Sequence, residues 1–183
     1  MDKDELRNFA KKTRKQLDIK AKSEILIEKI RRQEVYQKSK NVMLYYPMRY
    51  ELNLLSLLKD DKNFYLPRVC DENLMICPFK SGDELKKSDF NVCEPCTEPI
   101  NPKKLDLVIV PALMADTEGY RLGYGGGFYD RFLEKYSSIK TILPIAKELR
   151  VEKLPHNIYD KKVDEIIVAW KKGSLRANPL QVS

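Results

Sequence analysis

The sequence predicts an α/β protein: a three-layer α/β/α single domain built on a mostly parallel sheet. Three observations predict it. Short apolar runs of strand length recur along the chain, separated by stretches with helical periodicity. The strongest run, 105–110 (LDLVIV), is almost continuously apolar, as a strand covered on both faces must be. The 183 residues, 43% of them hydrophobic, suffice to bury a core without help from metal or disulfide.

The elements follow in chain order. Leu6, Phe9, Ala10, Thr13 and Leu17 fall at helical spacing among lysines and arginines, which predicts an amphipathic helix over 3–17. Ser23 is placed to cap a second helix running to about Lys38, with Leu26, Ile27, Ile30 and Tyr36 on its apolar face. The run 41–46 (NVMLYY) is a buried strand ended by Pro47. Asn53 caps a short helix over 54–59, and 64–66 is a strand ended by Pro67. Residues 74–79 form a further strand, which Pro78 assigns to a sheet edge. The stretch 80–104 is polar and dotted with Pro95, Pro99 and Pro102, and reads as a surface excursion. The central strand 105–110 stops at Pro111. A glycine-rich loop precedes a helix over 128–136, and strands at 141–146 and 165–170 complete the sheet.

Charge narrows the partners. Lys and Arg number 34 against 27 Asp and Glu, a formal +7, and residues 1–40 hold 13 of the cations and only 7 of the anions. A basic helical segment therefore precedes a nearly neutral remainder. Such a segment suits nucleic acid, an anionic membrane or a polyanionic small molecule, or is simply a solvated helix face. No apolar run approaches the ~20 residues that span a bilayer. The opening MDKDELRNFAKK lacks the apolar centre of a secretory signal, so a cytoplasmic protein is expected. Cys93 and Cys96 form a CxxC. Cys70 and Cys77 have six residues between them, however, and His156 is the lone histidine, so zinc lacks matching ligands and ordinary thiols are expected.

The chemistry concentrates in one segment. Five of the seven glycines (Gly119, Gly123, Gly125, Gly126 and Gly127) lie within nine residues, between a strand and a helix. Glycines there let successive N–H groups converge on one anion, and the helix N-terminus adds its own free donors. Arg121 supplies a bidentate phosphate donor, and Asp130 a carboxylate where a hydrated Mg²⁺ would sit. The Walker spacing is absent, and the third glycine of a dinucleotide fingerprint falls at the wrong offset.

The run RLGYGGGFYDRFL, 121–133, resembles the signature of the 5-formyltetrahydrofolate cyclo-ligase (methenyltetrahydrofolate synthetase) family. Weaker elements agree in order and spacing: Lys3 with Leu6-Arg7, the segment from Tyr46 to Glu51, Leu66-Pro67-Arg68, Val110-Pro111 and Lys162-Val163-Asp164. The resemblance implies a NagB/RpiA/CoA-transferase-like fold, with the basic N-terminal helices (1–40) packed on it. It implies conversion of 5-formyltetrahydrofolate to 5,10-methenyltetrahydrofolate with ATP and Mg²⁺, by phosphorylation of the formyl oxygen and attack of N10. It makes Arg121 catalytic. Lys3, Arg7, Arg121, Leu122, Gly123, Tyr124, Gly125, Gly126, Gly127, Phe128 and Tyr129 become ATP-binding positions. Tyr46, Glu51 and the stretch from Tyr124 to Phe128 become substrate-binding positions, and Asp130 and Asp164 the magnesium carboxylates. Ala115 replaces an aromatic usual in the family, which implies a remodelled pocket wall there. The expected partners are small molecules for a monomer, without nucleic acid or membrane. The rival readings are a basic nucleic-acid-binding module and a same-fold enzyme for another substrate.

Overall fold

The computed structural model describes residues 1–170. Its centre is a six-stranded sheet. In chain order the strands are β1 (Asn41–Met43), β2 (Asn63–Cys70), β3 (Asn73–Pro78), β6 (Leu107–Ile109), β9 (Lys140–Ala146) and β10 (Glu165–Ala169), arranged β10-β9-β6-β1-β2-β3. Every pairing is parallel except β2 with the edge strand β3. Two small hairpins stand outside it: β4 (Leu85–Lys87) with β5 (Cys93–Pro95), and β7 (Met114–Ala115) with β8 (Arg121–Leu122).

Side chains of the parallel strands alternate between two cores, which makes the molecule three layers. Val42, Leu44, Leu107, Ile109, Ile142 and Ile167 pack with Leu26, Ile27 and Ile30 of α2 (Ile19–Arg31) and Tyr36 of α3 (Glu34–Lys38). Met43, Val108, Leu143 and Ile145 face the other way. They meet Leu6 and Ala10 of α1 (Lys3–Arg14) and Phe132 and Leu133 of α4 (Phe128–Lys135). The N-terminal helices are thus integral to both outer layers. Among the described residues no helix is long and apolar enough to cross a membrane.

Three sequence expectations are corrected. The second helix starts at Ile19, capped by Asp18, whose carboxylate accepts from Ala21 N. Ser23 lies inside it, donates to Ile19 O and accepts from Asn53 N, so its hydroxyl ties the helix to the chain after β1. A break at 32–33 then separates α2 from α3. Pro67 does not end β2. With Phe64 and Phe79 hydrogen-bonded through Phe79 N, the alternation turns the nitrogens of 65, 67 and 69 away from β3, where a missing N–H costs no ladder bond. The excursion 80–104 carries the β4–β5 hairpin, which leans on β2: Arg68 donates to Pro95 O and Thr97 O, and Val69 N to Glu94 Oε1.

One anchor on the α2–α3 face is set by pH. Asp60 accepts from Arg31 Nε and Nη2 at 2.8–3.2 Å and from the Tyr36 hydroxyl at 2.8 Å. Burial pushes its carboxyl up, but the hydrogen bonds from Arg31 and Tyr36 prevail and hold it below its ordinary value of 3.8. A depressed carboxyl adds stability that is present above the unfolded pKa and lost as pH falls through the folded one. Asp60→Asn is therefore expected to cost about 1 kcal/mol at neutral pH. The gap to the unsubstituted chain should close below about pH 4, read as urea midpoints at pH 7 and pH 3.

Candidate active site

The C-terminal ends of the parallel strands, the glycine loop and the β4–β5 hairpin enclose a cleft of about 690 Å³. Strand β8 delivers Arg121 and Leu122 to its floor, and α4 begins where the loop ends. Gly127 occupies the left-handed region at φ 71°, where its backbone turns the chain into the helix without a side-chain cap. The first N–H groups of α4 therefore end at the cleft, with the positive pole of the helix behind them. Gly125, beside the Arg7 guanidinium, takes φ 110°, a backbone conformation that residues with a β-carbon rarely adopt.

Arg121 is nearly enclosed, 8% exposed. Its Nη1 donates to Asp130 Oδ1 at 2.9 Å, its guanidinium stands 5.8 Å from the Tyr129 ring, and its buried Nε has no partner. Asp130 also receives Lys161 N at 3.0 Å. Helix α1 brings two cations to the same cleft. Arg7 Nε donates to Gly123 O at 3.0 Å, which braces the loop, and Lys3 Nζ pairs with Asp160 Oδ2 at 2.7 Å. For Asp160, burial pushes the carboxyl up, while Lys3, the Asn157 N–H and the field of Arg121 hold it lower on balance.

Much of the rest of the lining is aromatic and apolar. Tyr45, Tyr46, Pro67, Val69, Phe90, Val92, Tyr124 and Phe128 form this part, and Phe90 of the hairpin meets Phe128 edge to face at 5.6 Å. The Tyr124 ring borders open space while its hydroxyl is sequestered, donating to Glu51 Oε1 at 2.8 Å and accepting from Arg14 at 2.7 Å. Burial, then the charge of Glu51, pushes the Tyr124 hydroxyl far above its ordinary pKa, and does the same at Tyr129.

Of the residues the sequence singled out, the cleft gathers Lys3, Arg7, Tyr46, Glu51, the whole run from Arg121 to Tyr129, and Asp130. It does not gather Asp164. That carboxylate accepts from Thr141 N at 2.8 Å and from Thr141 Oγ1 at 3.0 Å, tying the start of β10 to β9 away from the cleft. Ala115 is fully buried behind the loop and forms no pocket wall. Four participants escaped the sequence reading: Arg14, Phe90, Glu94 and Asp160. The one signal for Asp160 was its place four residues before Asp164, in a stretch without helical or strand periodicity.

A glycine-opened helix that points into a substrate-sized cleft, among enclosed cations and carboxylates, defines an α/β enzyme that handles an anionic substrate. Comparison with known proteins gives the same answer more narrowly. Residues 1–169 match the 5-formyltetrahydrofolate cyclo-ligase family, and the chain belongs to it. It is 29% identical over 147 residues to the 5-formyltetrahydrofolate cyclo-ligase of Haemophilus influenzae, covering 72% of this chain and 77% of that protein. With the Mus musculus protein of the same name it shares 27% over 162 residues, covering 78% and 80%. Among solved structures it is similar to the 5,10-methenyltetrahydrofolate synthetase of Aquifex aeolicus, with a TM-score of 0.80 at 29% identity over 99% of this chain and 100% of that one. A Mycoplasma pneumoniae 5,10-methenyltetrahydrofolate synthetase shares the fold with a TM-score of 0.73 at 21% identity, covering 91% and 98%. The mostly parallel α/β fold and the ligase class read from the sequence both stand.

Proposed function

We propose that this chain closes 5-formyltetrahydrofolate to 5,10-methenyltetrahydrofolate at the expense of ATP, releasing ADP and phosphate. One observation carries the reading: the uncapped N-terminus of α4, the Arg121 guanidinium and a set of aromatic side chains line one cleft. A triphosphate suits the helix N-terminus and the guanidinium, and a flat pterin the aromatic side chains.

The chemistry follows from the substrate. A formamide oxygen is a poor leaving group, so the γ-phosphoryl group passes from ATP to that oxygen. N10 then bonds to the formyl carbon, the carbon–oxygen bond breaks, and the oxygen departs as phosphate together with the proton that N10 loses. Phosphoryl transfer asks for alignment and charge neutralisation rather than a protein nucleophile. Arg121, Lys3 and the N–H groups of the loop supply positive charge, and Arg7 holds the loop through Gly123. Tyr46, Phe90 and Tyr124 offer faces against which a pterin stacks.

The residues present also fit Mg²⁺. That ion takes one or two carboxylates and completes its shell with phosphate and water. Among the described residues no three His, Cys, Asp or Glu side chains cluster as a cage. Asp130 and Asp160 both line the cleft, each with one oxygen outside the hydrogen bonds described. They would hold the ion, and Asp164 would not. When bound, Mg²⁺ neutralises charge on the phosphates.

The test is the absorbance of 5,10-methenyltetrahydrofolate, expected only when 5-formyltetrahydrofolate, ATP and Mg²⁺ are all supplied. Folded protein that forms no product overturns the reading. Within that assay, Asp160→Asn is expected to raise the Mg²⁺ concentration for half-maximal rate by about tenfold or more. Asp164→Asn should leave that requirement unchanged and lower the melting temperature instead.

A further inference from the structure

We propose that Arg14 is the positioning residue of the substrate wall: its guanidinium fixes the Tyr124 hydroxyl against Glu51 and so sets the plane of the Tyr124 ring in the cleft. The proposal rests on the reading of this cleft as the folate and ATP site.

Arg14 ends α1, and its side chain is 7% exposed. One nitrogen donates to the Tyr124 hydroxyl at 2.7 Å, the other to the carbonyl of Ala112, and Glu51 Oε1 lies 3.8 Å away. Glu51, itself buried, receives Tyr124 at Oε1 and Met48 N at Oε2, both at 2.8 Å. One cation thereby joins four segments: α1, the loop after β6, the loop after β1 and the glycine loop. Each Glu51 oxygen thus accepts one hydrogen bond from the protein, and the bond at Oε1 ties Glu51 to Tyr124. The Tyr124 residue keeps 44% of its surface exposed although its hydroxyl is held, an anchored tip with a free face turned to the cleft. Two acceptors at fixed places demand the guanidinium fork, and an ammonium in the same position satisfies one of them.

The experiment compares Arg14→Met, Tyr124→Phe and the double variant in the methenyl assay, alongside a crystal structure of Arg14→Met. Arg14→Met is expected to raise KM for 5-formyltetrahydrofolate about tenfold, the effect of losing one charge-assisted hydrogen bond. KM for ATP should stay within about twofold, and the double variant should be no worse than Arg14→Met alone. In the crystal the Tyr124 hydroxyl should leave Glu51. Additive losses, an equal rise in both KM values, or an unmoved Tyr124 overturns the proposal. If Arg14→Met fails to fold, Arg14→Lys keeps the buried charge: KM for 5-formyltetrahydrofolate must rise if its crystal shows Tyr124 released from Glu51 and stay near wild type if Tyr124 is held. Any other pairing overturns the proposal. A wild-type chain without turnover sinks the reading of the cleft, and the position of Tyr124 in the variant crystal still decides the role of Arg14.

Discussion

Arg121→Ala is expected to lower kcat by about 10³-fold, because the guanidinium is the most enclosed positive charge at the phosphate end of the cleft. Its Nη1 is held by Asp130, which fixes the guanidinium where Arg121 lines the cleft. In the proposed reaction, charge that builds on the transferring phosphoryl group would meet this guanidinium in a partly dehydrated site, where it is worth more than in water. Removing it should therefore depress kcat more than it raises KM for either substrate. Asp130 would lose its 2.9 Å partner, so some loss of stability accompanies the kinetic effect. Arg121→Lys separates the two. A lysine restores the charge beside Asp130, and with it most of the melting temperature, but it lacks the fork and should recover only part of the rate. Turnover and thermal melting on both variants check this. A kcat for Arg121→Ala within tenfold of wild type would reduce Arg121 to a structural ion pair.

Why Arg121 was legible and Arg14 was not is a matter of range. The glycine loop announces itself because it uses a scarce residue, and its work (a positive φ at Gly125 and Gly127, an open helix end) is local to a dozen positions. The parallel strands β6, β9 and β10 were legible for a similar reason, since burial on both faces leaves continuous apolar runs. Arg14 looks like any cation on an amphipathic helix. Its partners lie 98 and 110 positions away, and only the packing of α1 beneath the glycine loop brings them within reach. The hairpin that roofs the cleft carried proline and polar residues that read as surface, and Phe90 acquires meaning only through Phe128. Asp164 was singled out by the family resemblance alone, and Asp160, which lines the cleft, lies in a segment with no period, where spacing says nothing about which side chain faces inward. Pro67 misled for the opposite reason: the rule that proline ends a strand fails where its nitrogen turns away from the partner strand.

Asp116→Ala should be among the most destabilising single changes in the chain, costing about 3–5 kcal/mol, because a wholly buried carboxylate there holds the site together from behind. Its Oδ1 accepts from Glu118 N and Tyr120 N, both at 2.9 Å, and closes the turn between β7 and β8 that presents Arg121. Its Oδ2 accepts from Leu154 N at 3.0 Å and fastens the chain that continues to Asn157, Tyr159 and Asp160 at the cleft. Alanine would leave three backbone donors without this acceptor, that of Leu154 in space closed to water, a larger penalty than loss of the carboxylate's own contacts. Asparagine keeps the shape but turns an NH₂ toward at least one of those N–H groups, so its loss should fall between alanine and wild type. Glu118→Ala, two residues along the same turn and exposed, is the control and should stay within about 0.5 kcal/mol. Urea unfolding of the three variants at neutral pH measures the series. A cost for Asp116→Ala no greater than that of the control would mean that neither the hairpin nor the Asp160 loop depends on this carboxylate.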